Sequence, residues 1–380
     1  MSVAFVNGRL LTPEGLVTGH ALLVANGRIE AIVGNKDPRI GATRYDLRGA
    51  ILSPGFIDAQ VNGGGGVLFN ETPTVETIRR IGAAHRKFGT TGFLPTLISD
   101  RPDVMRAALD AVAQAMHQHV PGVLGIHLEG PFLAPERKGI HDAARFLTPT
   151  DELLDLIVQA RAGRVLITVA PDRFPPEAIA RLARGGVVVS AGHSAATHAQ
   201  TRAALDAGMR GFTHLFNAMS PLQSREPGVV GAALEDAKSW CSVIVDGEHV
   251  HPATLKVAIA TKPRGKIFLV TDAMPPVGSG STSFVLNGER IDCSGGVCRS
   301  PGGVLAGSAL DMATAVRNTV TLVGVPLDEA LRMASTYPAA FLGLEDQVGS
   351  LAAGKRADLV ALDDALNVTG TWIAGETPAQ

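Results

Sequence analysis

Three residues that commonly bind metals stand at the ends of short apolar runs in this sequence. Glu129, His193 and His214 each follow such a run. Short apolar runs are typical of buried parallel strands, and barrel enzymes keep their chemistry at the carboxyl ends of those strands. Two imidazoles and one carboxylate suit a divalent metal of the zinc or iron type, with one coordination position left open for water. The pattern therefore predicts metal-assisted hydrolysis.

The length and composition of the chain limit the folds that could position these ligands. The chain has 380 residues, of which 46% are hydrophobic, so it exceeds the roughly 250 residues typical of one α/β barrel. A barrel with a smaller additional domain is the natural expectation. The formal net charge is −2, and the Lys and Arg residues are scattered rather than clustered. This distribution argues against nucleic acid and against an anionic membrane as partners.

The cysteines and the start of the sequence bear on the cellular compartment. Cys241, Cys293 and Cys298 are an odd number without a CxxC pair, which predicts a reducing compartment and no disulfide framework. The first residues lack a basic stretch followed by a long apolar one, and no run of 18 or more apolar residues occurs. We therefore expect a cytoplasmic protein.

The pattern of apolar, polar and turn residues changes twice along the chain. Residues 3–52 read as short strands separated by Asn-Gly hairpin signals. From residue 53 onward, apolar runs alternate with helical stretches, which is typical of βα units. The predicted helices are 75–88, 102–117, 151–162, 176–184, 196–207 and 308–323. Residues 347–380 return to turns and short strands.

These changes predict an α/β fold with two parts. A TIM-like (β/α)8 barrel spans residues 53–346, and a small β-sandwich domain is built from both ends of the chain, residues 1–52 and 347–380. Hairpin signals within 279–303 predict an inserted β excursion near the active-site face of the barrel. The glycine run 63–66 predicts a tight loop rather than a phosphate cradle, because no Walker lysine follows it.

Several motifs carry a resemblance to one enzyme family. The strings HLEGPF, KGIH, AGHS, THLFNAM, REPG and VTDA begin at residues 127, 138, 191, 213, 225 and 270. In this order they resemble N-acetylglucosamine-6-phosphate deacetylases of the amidohydrolase superfamily. The string PGFID beginning at residue 54 and GKRADL beginning at residue 354 are similar to the entry and exit of the barrel in the wider superfamily. The resemblance implies an amidohydrolase-type barrel that hydrolyses the N-acetyl group of N-acetylglucosamine 6-phosphate.

The resemblance also implies catalytic roles for particular residues. Glu129, His193 and His214 match the metal ligands of the family. Asp272 matches the catalytic aspartate, which takes a proton from water and later passes it to the leaving amine. His141 matches the residue that donates to the substrate carbonyl and its developing oxyanion.

The substrate contacts are likewise carried over from the family. Arg225 and His249 match contacts to the sugar phosphate, and a guanidinium can grip phosphate in a bidentate way. The remaining expected substrate contacts are Ile140, His141, Asn217, Ala218, Ala306, Gly307 and Ser308. In some relatives a phosphate contact crosses a dimer interface, so the resemblance implies a homodimer that binds a small phosphorylated amino sugar.

Gln60 and Asn62 stand where many amidohydrolases place an HxH pair for a second metal. Amides are weak ligands for such a metal, which favours one divalent metal per active site. Zinc is preferred, while iron, cobalt and manganese also suit the ligand set. HxH is usual in enzymes that act on cyclic amides, such as dihydroorotases and hydantoinases, so its absence argues against that alternative. A non-catalytic barrel, the other alternative, would be expected to have lost a ligand or the general base.

Two histidines remain ambiguous at this level. His127 lies on the same predicted strand as Glu129, and we predict a structural role for it. His251 lies two residues after His249 and is an alternative contact for the phosphate.

Overall fold

The computed structural model describes residues 2–41 and 43–377. Eight parallel strands form the central sheet in sequential order. They are β1 (Phe56–Val61), β2 (Thr90–Ile98), β3 (Gly125–Glu129), β4 (Arg164–Val169), β5 (Val188–Ala191), β6 (Gly211–Phe212), β7 (Trp240–Val243) and β8 (Ile267–Leu269). A parallel pairing of Val61 with Ala273 joins the first strand to the segment after the last one. The predicted (β/α)8 barrel is therefore confirmed.

The described residues form ten α-helices, of which the first seven link consecutive barrel strands and the last three follow β8. They are α1 (Val75–Arg86), α2 (Pro102–His117), α3 (Asp151–Val158), α4 (Pro176–Arg184), α5 (His198–Asp206), α6 (Gly228–Glu235), α7 (Pro252–Thr261), α8 (Met312–Asn318), α9 (Leu327–Ala334) and α10 (Thr336–Leu342). Four of the predicted helices begin or end elsewhere. The helix predicted over 75–88 ends at Arg86, the one over 151–162 ends at Val158, and the one over 196–207 spans His198–Asp206. The helix predicted over 308–323 begins only at Met312, and the last five residues of that range form a π-helical turn, Thr319–Val323. The described residues contain no helix long and apolar enough to cross a membrane.

The two ends of the chain form a small β domain, as predicted. One sheet has four strands in the order Arg28–Gly34, His20–Ala25, Ser2–Val6 and Arg44–Asp46. The other has five strands in the order Val368–Trp372, Leu359–Leu362, Ile51–Pro54, Arg9–Thr12 and Gly15–Val17. Leu359 pairs with Pro54, so the end of the chain closes against the segment that enters the barrel. The exact boundaries after residues 52 and 346 stay predictions, and residues 1, 42 and 378–380 lie outside the described part.

An antiparallel sheet is inserted between β8 and α8, in the region where the sequence predicted a β excursion. Its strands are Ser283–Leu286, Glu289–Ser294, Val297–Arg299 and Leu305–Ser308. The glycine run makes a short hairpin, Gly63–Gly64 with Val67–Leu68, whose turn residues Gly65 and Gly66 have φ of 61° and 81°. These left-handed values explain why glycine is used there.

The prediction about disulfides is wrong in this inserted sheet. Cys293 and Cys298 are opposite each other on adjacent strands and form a disulfide. Only four residues separate them, and Gly295 and Gly296 turn the chain between the two strands. A cross-strand pair of this kind lacks CxxC spacing, so the spacing rule missed it. The cysteine count therefore gives no support to a reducing compartment.

Candidate active site

The three predicted metal ligands meet at the carboxyl ends of the barrel strands. Glu129 is the last residue of β3, and His193 and His214 lie just after β5 and β6. One carboxylate oxygen of Glu129, Oε1, lies 2.8 Å from His214 Nε2 and 3.1 Å from His193 Nε2, and the two nitrogens are 3.1 Å apart. Ligand atoms of a tetrahedral zinc ion are about 3.3 Å apart. The donor set and its spacing therefore fit one divalent metal ion.

Hydrogen bonds and burial prepare these side chains to hold a cation. His193 Nδ1 donates to the carbonyl oxygen of Arg137 at 2.9 Å, which leaves Nε2 facing the other ligands. Burial raises the pKa of Glu129, but hydrogen bonds with His193 and His214 outweigh it and hold that pKa well below its usual range. Burial lowers the pKa of His214, yet the hydrogen bond to Glu129 raises it overall. A carboxylate that stays ionised in a buried cluster attracts positive charge, as a metal site requires.

Asp272 lies beside this cluster, three residues after β8. Its Oδ1 accepts hydrogen bonds from Asn62 Nδ2 at 2.6 Å and from Gln60 Nε2 at 3.1 Å. Burial and the negative charge of Glu129 raise the pKa of Asp272 to about 6. A carboxyl group with such a pKa is suited to accept and return a proton near neutral pH.

Asp58, on β1, is hydrogen-bonded to the loop that carries Asp272. It is fully buried, and its Oδ2 accepts a hydrogen bond from Thr271 Oγ1 at 2.5 Å. Its Oδ1 accepts from the backbone N–H groups of Gln60 and Thr271, both at 3.2 Å. Burial raises the pKa of Asp58 to about 7. These bonds fix the residue immediately before Asp272.

Backbone conformation at the site is unusual. His193, His214 and Asp272 have φ values of 49°, 36° and 53°, which non-glycine residues seldom adopt. Such values cost of order 1–3 kcal/mol each and cluster at functional sites. Tertiary contacts, and not the local backbone preferences of these residues, therefore set the positions of the three side chains.

His141 lies beside the same cluster, on the loop after β3. Its Nδ1 lies 2.9 Å from Ser99 Oγ, and its Nε2 lies 4.0 Å from Glu129 Oε2. Burial and the neighbouring His193 lower the pKa of His141 to about 3. The imidazole is therefore neutral, and when Ser99 donates to Nδ1 the proton is left on Nε2, facing the cluster.

A cavity of about 350 Å³ opens above the ligands. Its size suits a small-molecule substrate. Six of the expected substrate contacts line it: Ile140, His141, Asn217, Ala218, His249 and Gly307. Ala306 and Ser308 are buried beneath the wall rather than lining the cavity. Ser308 Oγ donates to the carbonyl oxygen of Thr271 at 2.6 Å and thereby supports the Asp272 loop.

Arg225 is not brought into the cavity of its own chain. It lies exposed on the loop after β6 and does not line the cavity. Arg137, which sequence reasoning missed, does line it, and its guanidinium has no hydrogen-bond or ion-pair partner within residues 2–41 and 43–377. Glu136 also lines the cavity, but its charge is paired with Arg173 at 2.8 Å.

The two ambiguous histidines take different places. His127 is buried on β3 and contacts Thr168 Oγ1 at 2.8 Å and Thr96 Oγ1 at 3.3 Å, in agreement with its predicted structural role. His251 is exposed, and its Nδ1 accepts a hydrogen bond from Ala253 N at the start of α7. His249, and not His251, therefore faces the cavity.

Comparison with known proteins supplies the family. The model of the amidohydrolase family matches residues 51–377. The chain belongs to the amidohydrolase family. Within this family it is 44% identical to N-acetylgalactosamine-6-phosphate deacetylase of Shewanella sp. (strain ANA-3), over 97% of this chain and 94% of the relative. It is 40% identical to N-acetylgalactosamine-6-phosphate deacetylase of Escherichia coli O157:H7, over 97% of each.

A solved amidohydrolase structure has nearly the same fold. The crystal structure of N-acetylglucosamine-6-phosphate deacetylase from Pasteurella multocida superposes with a TM-score of 0.96 at 36% identity, and the match covers 100% of both chains. The resemblance to this group of deacetylases that the motifs predicted is therefore confirmed.

Proposed function

We propose that this protein hydrolyses the N-acetyl group of N-acetylglucosamine 6-phosphate to give glucosamine 6-phosphate and acetate. The convergence of Glu129, His193 and His214 beside Asp272, in one cavity at the carboxyl ends of the barrel strands, carries the proposal. Relatives that are deacetylases of N-acetylhexosamine 6-phosphates, and the shared fold of a solved N-acetylglucosamine-6-phosphate deacetylase, support this class of reaction. The alternative of a non-catalytic barrel is disfavoured because ligands and base lie together.

The cofactor in this proposal is one divalent metal ion per active site, with zinc preferred over iron, cobalt or manganese. Glu129, His193 and His214 would hold it. A cation held there acidifies bound water and polarises the carbonyl oxygen of the amide. Gln60 and Asn62, in place of an HxH pair, donate hydrogen bonds to Asp272, which supports a single metal.

Asp272 is proposed to act first as general base and then as general acid. Its carboxylate takes a proton from the attacking water and passes it to the nitrogen of the leaving amine. The two amide donors on Oδ1 fix the orientation of the carboxylate and leave Oδ2 for the proton.

His141 is proposed to stabilise the negative charge that develops on the carbonyl oxygen. A neutral imidazole with its proton on Nε2 is a hydrogen-bond donor throughout the reaction. The contact of Nδ1 with Ser99 Oγ supports this protonation state.

The sugar and its phosphate are proposed to bind in the outer part of the cavity, against Ile140, Asn217, Ala218, His249 and Gly307. Arg225 is proposed as a phosphate contact across the interface of a homodimer, since it is exposed and outside the cavity of its own chain. The homodimer and a cytoplasmic location remain predictions from the sequence.

The phosphate contact can be tested by substitution. Arg225→Ala is expected to raise KM for the phosphorylated sugar on the order of tenfold and to leave KM for the unphosphorylated sugar unchanged, because the lost contact is remote from the amide. Arg161→Ala, at another exposed arginine, is the matched control. Equal effects on both sugars would remove Arg225 from the phosphate site, and a selective effect of Arg137→Ala alone would assign the contact to Arg137.

The 4-epimer, N-acetylgalactosamine 6-phosphate, is a second candidate substrate. Two relatives that are 44% and 40% identical over 97% of the chain are deacetylases of that sugar phosphate. The two sugar phosphates differ only in the direction of one hydroxyl group, so the catalytic groups proposed above apply to both.

Acetate release from the two sugar phosphates, and from a panel of cyclic amides, separates these candidates. We expect hydrolysis of the N-acetylhexosamine 6-phosphates and none of the cyclic amides. A kcat/KM ratio above ten in favour of the galacto epimer would replace the first substrate by the second. Turnover of cyclic amides alone, or of nothing in the presence of metal, would overturn the proposal.

A further inference from the structure

The loop after β7 holds a carboxylate and an imidazole in a close buried pair. Asp246 Oδ2 lies 2.6 Å from His249 Nδ1, and the two side chains are only 4% and 5% exposed. His249 lines the cavity, whereas Asp246 lies behind it. Asp246 does not line the cavity itself. It can therefore affect a bound ligand only through the imidazole of His249.

The two oxygens of Asp246 have separate contacts. Oδ1 accepts hydrogen bonds from the backbone N–H groups of Glu248 and His249, each at 2.9 Å, and so shapes the turn. Oδ2 contacts the imidazole alone. Shaping the turn needs only Oδ1, so the contact of Oδ2 requires a different explanation.

The pair determines which nitrogen of His249 meets a ligand. A carboxylate accepts but cannot donate, so the Nδ1 proton is committed to Asp246 and Nε2 is the nitrogen left for the cavity. Burial raises the pKa of Asp246, but the hydrogen bond from His249 outweighs it and lowers that pKa overall. Asp246 is therefore ionised at neutral pH.

The loop is also fixed from outside the pair. Asn318 Nδ2 donates to the carbonyl oxygen of Val245 at 2.9 Å, which ties the loop to the end of α8. Glu248 forms an exposed ion pair with Arg299 of the inserted sheet at 3.1 Å. Contacts with α8 and with the inserted sheet therefore hold the loop that carries the imidazole.

We infer that Asp246 is a positioning residue for the phosphate group of the substrate, holding His249 so that its Nε2 shares a proton with a phosphate oxygen. This inference rests on the proposed function. A phosphate monoester has its second pKa near 6 and exists in two protonation states near neutral pH, so it can share a proton with an imidazole nitrogen. The negative charge of Asp246 compensates the imidazole when the proton resides there.

Asp246→Ala and Asp246→Asn test this role. Asp246→Ala is expected to raise KM for the phosphorylated sugar on the order of tenfold, with kcat and metal content unchanged and with KM for the unphosphorylated sugar unaffected. Asp246→Asn can keep the Oδ1 contacts with the backbone, so its smaller but equally selective effect would isolate the carboxylate charge. Asp110→Ala, at an exposed carboxylate of α2 outside the cavity, is the matched control and should leave both KM values unchanged.

A double-mutant cycle separates positioning from a general structural role. In the His249→Ala background, Asp246→Ala should raise KM no further, because Asp246 acts only through the imidazole. An additional rise there, or equal effects on both sugars, would overturn the inference.

Direct binding distinguishes the failure of this inference from the failure of the proposed function. Calorimetry with glucosamine 6-phosphate measures affinity without turnover, and Asp246→Ala should weaken that binding on the order of tenfold. Unchanged binding in the variant, with a wild-type enzyme that releases acetate, would overturn the inference alone. A wild-type protein that neither binds this compound nor releases acetate would overturn both.

Discussion

Replacing Asp272 by asparagine is expected to lower kcat by about 10²–10⁴-fold, the usual loss when a general acid–base is removed. Asparagine has nearly the same size and can still accept a hydrogen bond from Asn62 or Gln60 through its carbonyl oxygen. It cannot accept the proton of water or return it to the amine. The loss should therefore be in turnover and not in substrate binding.

Metal content and KM of the Asp272→Asn variant check this interpretation. Both should stay close to the wild-type values if Glu129, His193 and His214 suffice to hold the cation. Loss of metal from the variant would make Asp272 a ligand instead of a base. Unchanged turnover would require another base, for which His141 is the nearest candidate because it faces the same cavity.

Replacing His193 or His214 by alanine should abolish both metal binding and hydrolysis. Either change leaves only two ligands, which hold a divalent ion poorly. Elemental analysis and acetate release are the measurements, and His251→Ala, at an exposed histidine outside the cavity, is the control. A variant that kept full metal content and activity would remove this site assignment.

The same elemental analysis tests the number of metal ions in the wild-type protein. We expect about one per chain, because Gln60 and Asn62 supply amides where an HxH pair would bind a second ion. Their side chains also donate to Asp272 at 3.1 and 2.6 Å. About two ions per chain, both needed for turnover, would contradict the mononuclear site.

Much of the barrel could be predicted because its signals are local. Apolar runs of strand length alternate with amphipathic stretches, and each such unit has its own pattern. The helices over 102–117 and 176–184 were predicted with their exact bounds. The helix predicted over 308–323 was not, since its predicted first residue, Ser308, ends the last strand of the inserted sheet, which pairs with Val297–Arg299.

The convergence of the three candidate metal ligands was also predictable, for a physical reason. Parallel strands of a barrel all end at one face, so residues at the ends of β3, β5 and β6 must lie near one another. The sequence separation between Glu129 and His214 is therefore no obstacle. Once the strand ends are known, the convergence of the ligands follows from the topology.

Other features depend on contacts between segments, and no motif in the sequence indicates that those segments meet. Arg225 carries the type of side chain that binds phosphate, yet its loop leaves it exposed, while Arg137 lines the cavity. The disulfide of Cys293 and Cys298 arises from the register of two short strands. Neither burial nor register can be read from residue type.

The sequence by itself determined the barrel, the small β domain made from both termini, and the candidate ligand set Glu129, His193 and His214, because strand ends and their order are encoded locally. Only the tertiary structure decided which groups surround those ligands. The amides of Gln60 and Asn62 orient Asp272, and Asp246 holds His249. Hydrogen bonds of this kind need atoms within about 3 Å, and such distances are set by the packing of the whole barrel.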